Sequence, residues 1–280
     1  MVTRFRAILG VAAFVFCTGF GSGERLFAPS AELWQRWQTH DAASMVVIDH
    51  GIWDRLLKKF VAPGRNGLTL FRYGAANLTD RQNLDGYVAA LTALPISTYR
   101  RAEQKAYWIN LYNALTVKVV LDHYPVKSIR DIDISPGLFS DGPWGKKLVT
   151  IEGEPISLND IEHRILRPIW RDNRIHYAVN CASIGCPNLQ PLAYRASSME
   201  AMLESAARAY INSPHGVAIR NDAITVSKIY DWFIADFGDE EKSVLAHLAK
   251  YAAPGLRKHL LTIGKIDDVA YDWRLNDAGR

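Results

Sequence analysis

From Tyr107 to Leu121 the chain reads YWINLYNALTVKVVL, apolar at most positions. The pattern predicts one long helix over Arg100–Tyr124, stopped by Pro125, with polar first turns and a later part buried nearly all round. Asn110, Asn113 and Thr116 interrupt this surface at a spacing of three and fall along one line of the helix. A buried amide without partners costs about 1–3 kcal/mol, so each asparagine implies specific bonds. Either the pair holds the backbone of neighbouring loops, or one of them orients a histidine and lines a pocket.

The remaining pattern is shorter-ranged. Glu32–Thr39 and Ile52–Phe60 are amphipathic and predict helices, with a strand fragment at Val46–Gly51 between them. Pro63–Gly67 is a turn cluster, followed by a strand in LTLFRYGAAN. Thr79 caps a helix that runs to Leu94 before Pro95. Leu148–Ile151 and Ile156–Ser157 form a hairpin around Glu152-Gly153-Glu154-Pro155. Ser157 with Asp160 makes a capping box for a helix over Leu158–Leu166, limited by Pro168. Arg174–Cys181 is apolar on both faces and reads as an interior strand. Further helices fall at Ser197–Asn212, Asp231–Phe237 and Lys242–Tyr251, with strands at Ala223–Ile229 and Val269–Trp273. Helices outnumber strands and the two do not alternate regularly. The fold class is therefore α+β: a helix-rich single domain with a small, mainly antiparallel sheet.

Composition narrows the function classes. The chain is 49% hydrophobic and 22% charged, the balance of a globular protein. Its net charge of +4 comes without any run of Lys and Arg, so no nucleic-acid partner is expected. Residues 1–23 read as a signal peptide: Arg4 and Arg6, an apolar stretch Ala7–Phe20, then Gly21-Ser22-Gly23. The apolar stretch is shorter than the ~20 residues of a membrane span. The expectation is a mature domain of residues 24–280, periplasmic or secreted, with no stable membrane span after cleavage.

The chemistry concentrates in RIHYAVNCASIGCPNL, residues 174–189. With Cys17 inside the leader, Cys181 and Cys186 are the cysteines left to the mature chain. They can form a small-loop disulfide, or one of them can be a nucleophile supplied with a base from elsewhere. A metal site is disfavoured, because C-x4-C has no second cysteine pair. No phosphate loop, H-E-x-x-H or G-x-S-x-G motif is present, and no cofactor is called for. Strand alternation sends His176 and Cys181 to opposite faces, so His176 is not expected to be the immediate base for Cys181 and reads instead as a core histidine. His163 is the candidate base, or else a surface histidine on a short amphipathic helix, and Glu162 lies about 100° from it around an α-helix, so the two are not expected to bond each other directly. Trp232, Phe233 and Phe237 read as core, and Asp231, Asp236 and Asp272 as caps or partners of arginines.

Four stretches, YWINLYNALTVKVVL, SLNDIEHRILR, RIHYAVNCASIGCP and SKIYDWFIADFG, resemble the DUF547 family in order and spacing, as does the terminal YDWRLN. The resemblance spans roughly Leu33–Asn276. The family's function is undefined, and its bacterial members are similar to exported proteins. The resemblance implies a papain-like cysteine peptidase or transferase. It implies Cys181, rather than Cys186, as nucleophile and His163 with Glu162 as the acid–histidine pair. Asn113, Asn110, His176 and Cys186 are then pocket or orienting residues, and backbone N–H groups of residues 182–186 hold the oxyanion. The expected activity is a cysteine-dependent hydrolase or acyltransferase acting on an amide or a small thiol-containing peptide. The alternative is a non-catalytic envelope binding module in which Cys181 and Cys186 form a structural disulfide.

Overall fold

The computed structural model describes residues 25, 28–137 and 142–279. The expected signal peptide, residues 1–23, lies outside them. The first half is organised by helices α1 (Gly51–Phe60), α2 (Leu78–Thr92) and α3 (Arg101–His123). Every residue of α3 from Glu103 to Val117 is buried, so this helix is the axis of the larger core. Helix α2 starts slightly earlier than the sequence suggests. Its cap is Asn77 rather than Thr79, because Asp80 then falls at the third helical position and closes a reciprocal box at 3.0 and 3.1 Å.

No strand forms at Val46–Gly51, contrary to the sequence expectation. The Asp49 carboxylate accepts the Gly51 N–H at 2.8 Å, an Asx turn that feeds the chain straight into α1. Strands β1 (Val61–Pro63) and β2 (Thr69–Phe71) pair antiparallel. The expected second hairpin is present as β3 (Val149–Ile151) and β4 (Glu154–Ile156). Its two-residue turn has Glu152 at φ 48° and Gly153 at φ 86°, the left-handed pair that matches strand twist.

The capping box is present as well: Ser157 N–H donates to Asp160 at 2.8 Å, and Asp160 N–H to Ser157 Oγ at 3.1 Å. The helix that it opens is not a plain α-helix. Asp160–Leu166 is a π-helix that runs into α4 (Arg167–Trp170). Arg167 N–H reaches back five residues to Glu162, which frees the His163 carbonyl. Pro168 has no N–H to offer Arg164, so that carbonyl is free too. The N-terminal segment takes both: Glu32 N–H bonds His163 O, and Trp34 N–H bonds Arg164 O, each at 3.0 Å. The wide turn is stabilised by partners distant in sequence.

The interior strand expected at Arg174–Cys181 is absent. A 3-10 turn, Asn173–Tyr177, stands there instead, capped by the Asp172 carboxylate on Arg174 N–H at 3.0 Å. The second half contains α5 (Met199–Ile211), β5 (Val217–Arg220), β6 (Ala223–Ser227), α6 (Ile229–Trp232), α7 (Glu241–Tyr251), α8 (Pro254–Ile263) and β7 (Asp268–Ala270). The sequence reading places no element at α8, although Pro254 and Gly264 bracket it. The third sheet has the order β5-β6-β7, antiparallel then parallel.

The chain is a helix-rich α+β single domain with small, mostly antiparallel sheets. This arrangement does not show the papain-like fold that the family resemblance implied. No helix among the described residues is long and apolar enough to cross a membrane. Two apolar clusters meet inside the domain, one around α3 and one around β5-β6-β7 with α5 and α7. The turn before Cys181 crosses their seam, since Ile175, Ala178 and Val179 pack in the first and Tyr177 in the second.

A buried and a half-buried histidine give this core a pH signature. His50 lies between the Tyr87 hydroxyl at 2.7 Å and the Asn110 amide at 3.3 Å. His247 lies between the Tyr177 hydroxyl at 2.8 Å and Asn173 at 3.2 Å. Burial lowers both to a pKa of about 4, so neither is charged at neutral pH. In the unfolded chain they titrate near 6.5. Between these values the unfolded state binds protons that the native state refuses, so stability falls as pH falls. The unfolding free energy from urea melts is expected to drop from pH 6.5 towards 4 by up to ~1.4 kcal/mol per pH unit for each such histidine. His50→Gln and His247→Gln should each flatten that slope. An unfolding free energy that stays constant across this window contradicts the assignment.

Candidate active site

A cavity of about 790 Å³ opens where the two clusters meet. One wall is the loop carrying Cys181 and Cys186, and its position is fixed by α3. Asn113 donates to Ala178 O at 2.9 Å and accepts from Asn180 N–H at 2.8 Å. Asn180 continues the clamp, accepting from Ala182 N–H at 2.9 Å and donating to Pro187 O at 2.7 Å. Ala182, next to Cys181, is held at φ 59° and fully buried. A non-glycine residue in this region is strained and persists because its surroundings over-determine it. The C-terminal segment supplies the rest: Ile184 N–H bonds Arg274 O, and Gly185 N–H bonds Asp272 O, both at 2.8 Å. A Cβ on Gly185 would lie 2.7 Å from Asp272 N, so only glycine allows this approach.

Asn110 clamps in the same way, with both amide ends on the backbone of Tyr194 at 2.7 and 3.0 Å. The asparagine line of α3 thus binds loop backbone, and Asn113 acts on the cysteine loop itself. Thr116 is buried with its hydroxyl unpartnered among the described residues.

Three groups converge on the Cys181 sulfur; the Cys181 thiol donates to Cys186 Sγ, and once Cys181 is ionised all three can donate to its thiolate. The Cys186 thiol is at 2.9 Å, the Tyr271 hydroxyl at 3.0 Å and the Ser183 hydroxyl at 3.3 Å. Burial works to raise the Cys181 pKa, but the hydrogen bonds from Cys186, Ser183 and Tyr271 outweigh it, and the net shift is downward. Cys186 moves the opposite way, pushed up by burial and by the neighbouring Cys181 sulfur. Both cysteines are free thiols in this structure. The more exposed sulfur, Cys181, is the one that ionises first.

The facing wall is a buried charge cluster. Asp236 Oδ2 accepts from Arg167 Nε at 2.5 Å and from His176 Nε2 at 2.7 Å. His176 Nδ1 lies 3.7 Å from Glu162, and its ring stacks on Phe233 at 4.6 Å. Burial opposes charge on His176, yet the bonds to Asp236 and Glu162 raise its pKa above the ordinary value. Glu162 is pulled down to about 2; burial opposes this, and His163, His176 and Arg167 overcome it. It is also hydrogen-bonded to Tyr112 of α3. When His176 is protonated, two cations, Arg167 and His176, face two anions, Asp236 and Glu162, and their charges balance.

His163 is different. Its Nδ1 lies 2.9 Å from Arg167 Nη1, and a guanidinium can only donate. Nδ1 is therefore the acceptor, and the ring proton sits on Nε2. Burial lowers its pKa to about 4, so the ring is neutral at physiological pH.

The structure brings Cys181, Cys186, Glu162, His163 and His176 to one cavity. The alternation argument that separated His176 from Cys181 fails, because it rested on a strand that does not exist. Four of the loop N–H groups expected to face an oxyanion are already bonded: Ala182 to Asn180, Ile184 to Arg274, Gly185 to Asp272 and Cys186 to Ser183. Trp232 and Phe233, expected in the core, line the cavity instead. Asp236 pairs with an arginine as expected, but its bond to His176 went unread, as did Tyr271, Ser183 and Tyr112. Tyr271 had a faint signal, an aromatic residue in the terminal YDWRLN stretch.

Replacing Asn113 by Ala removes the partner of one buried carbonyl and one buried N–H. A loss of roughly 2–6 kcal/mol in unfolding free energy is expected, from about 1–3 kcal/mol for each orphaned group. A thermal or urea melt measures it, and a change below about 0.5 kcal/mol would show that the clamp is not needed.

Comparison with curated proteins and with solved structures gave no match. A family model described as a protein of unknown function, DUF547, matches residues 96–211. That segment is shorter than the resemblance read from Leu33 to Asn276. It includes α3, the π-helix and both cysteines, while Phe233, Asp236 and Tyr271 lie beyond it. The chain contains a DUF547 domain, residues 96–211.

Proposed function

We propose that the chain is an exported, cysteine-dependent acyl-transfer enzyme, a hydrolase or acyltransferase, acting on an amide or a small thiol-containing peptide. The observation that carries this reading is the Cys181 sulfur on the cavity wall with three hydrogen-bonding groups around it, each able to donate to its thiolate. Such an environment favours the thiolate, which is the nucleophilic form. The cavity volume fits a small ligand.

In this reading the Cys181 thiolate attacks the carbonyl carbon. A C–S bond forms and the carbonyl electron pair moves to oxygen. His163 serves as a neutral N–H donor to that oxygen rather than as the base, since Arg167 occupies its lone pair. Collapse of the intermediate breaks the bond to the leaving group, which takes a proton from Nδ1 of the His176 imidazolium, because Nε2–H is held by Asp236. Glu162 and Asp236 keep His176 charged beforehand. Water, or an acceptor amine or thiol, then attacks the thioester and returns that proton to His176, restoring the Cys181 thiolate.

A peptide-library assay with product detection by mass spectrometry tests the reading. Cys181→Ala is expected to lower turnover by roughly 10³-fold or more. Wild-type cleavage that survives this substitution, or its absence from the wild type, overturns the proposal and returns the binding-module alternative. The pH profile adds a sharper test. Activity requires ionised Cys181 and protonated His176, giving a bell with its acid limb below the ordinary thiol range and its alkaline limb above the ordinary histidine value. His176→Gln should abolish the alkaline limb and leave the acid limb in place. Retention of both limbs would remove His176 from the proton transfer.

A further inference from the structure

We propose that Cys181 and Cys186 are a thiol–disulfide exchange couple, with Cys181 attacking a small peptide disulfide in the cavity and Cys186 resolving the mixed disulfide. This activity goes beyond acyl transfer and shares with it only the free Cys181 nucleophile.

The arrangement of the two thiols motivates it. Their sulfurs are 2.9 Å apart, so the second is within reach of any adduct formed on the first. Cys181 is partly exposed on the cavity wall, while Cys186 is only 4% exposed. An incoming disulfide therefore meets Cys181 first. Both flanks of Cys186 are tethered: the Tyr210 hydroxyl holds Gly185 O at 2.7 Å, and Asn180 holds Pro187 O at 2.7 Å. The loop cannot swing its second thiol away. Acyl transfer gives Cys186 no task beyond hydrogen bonds, since its sulfur accepts from the Cys181 N–H at 2.8 Å and from the Cys181 thiol at 2.9 Å, and a serine oxygen would accept both. The opposite directions of the two pKa shifts agree with one attacking and one resolving sulfur.

The steps balance. The Cys181 thiolate attacks R–S–S–R′; a Cys181–SR bond forms, the substrate S–S bond breaks, and R′S⁻ leaves and is protonated by solvent. Cys186 loses its proton to water and attacks the Cys181 sulfur. The internal disulfide forms, and RS⁻ departs and is protonated. The chain loses two electrons and the substrate becomes two thiols. A small-molecule thiol reductant returns the internal disulfide to the dithiol.

The test uses the full chain with Cys17→Ser, so that only the two cavity thiols react. The protein is reduced, freed of reductant, exposed to glutathione disulfide without oxygen, quenched in acid and weighed by mass spectrometry. The parent form is expected to carry no adduct, to lose two hydrogens in mass and to release two molecules of glutathione. Adding Cys186→Ser, or in a second variant Cys186→Ala, should trap one glutathione on Cys181. Adding Cys181→Ser should prevent the reaction. Circular dichroism and thermal melts identify any variant that fails to fold. Accumulation of a stable Cys181 adduct on the parent form, with no internal disulfide, overturns the couple. The two proposals fail separately. Folded Cys186→Ser that still cleaves peptides but traps glutathione supports both, whereas a parent form that resolves the adduct without cleaving any peptide supports only the couple.

Discussion

The site depends on one amide, Asn113, in the middle of a helix that is otherwise sealed from water. A helix buried on all sides offers its neighbours few polar handles. Asn113 is one, and both of its hydrogen-bonding ends are committed to the backbone on the N-terminal side of Cys181. From there Asn180 carries the constraint around the loop to Pro187. The strained Ala182 and the close contact at Gly185 are consequences, because a loop fixed at both ends has little freedom to relax. The benefit is chemical. A sulfur that must meet three hydrogen-bonding partners at once cannot sit on a mobile loop.

The opposite wall solves a different problem, the burial of four charges. Isolated ions in such a place would be strongly destabilising, and pairs are tolerated only when geometry and hydrogen bonding are good. Asp236 answers this by binding Arg167 and His176 through one oxygen, with Glu162 supplying the second negative charge. Arg167 also fixes the tautomer of His163, so a histidine pushed towards its neutral form and one pushed towards its charged form stand side by side with different capabilities. The π-helix is part of the same design. It carries Glu162 and His163 to the cavity, and its loosened carbonyls at His163 and Arg164 dock the N-terminal segment. Wide turns of this kind are frequent at functional sites.

Local signals made much of the fold legible. The periodicity of α3 placed its ends within one residue of Arg101 and His123, and the Ser157–Asp160 pair marked a helix start correctly. The Glu152-Gly153 turn located a hairpin. The segment before Cys181 was misread because apolar residues on both faces describe a buried tight turn as well as a buried strand. Asp172 decides between them, and its cap is visible only once Arg174 is seen to fold back on it. The π-helix was hidden because its freed carbonyls are satisfied by residues 32–34, far away in sequence. Cys181, His163 and Glu162 could be singled out from residue type and resemblance. Asp236 and Tyr271 could not be joined to them, because they reach His176 and Cys181 across 60 and 90 residues.

The central claim is that Cys181 is a free thiol held towards its ionised form by Cys186, Ser183 and Tyr271. The most direct measurement is the rate of Cys181 alkylation by iodoacetamide as a function of pH, followed residue by residue by mass spectrometry. The rate is expected to reach half its plateau below the ordinary thiol pKa of ~8.5, with Cys186 alkylated far more slowly and Tyr271→Phe moving the Cys181 midpoint upward. A Cys181 that reacts only after reduction, or that titrates at or above the ordinary value with no response to Tyr271→Phe, would contradict it.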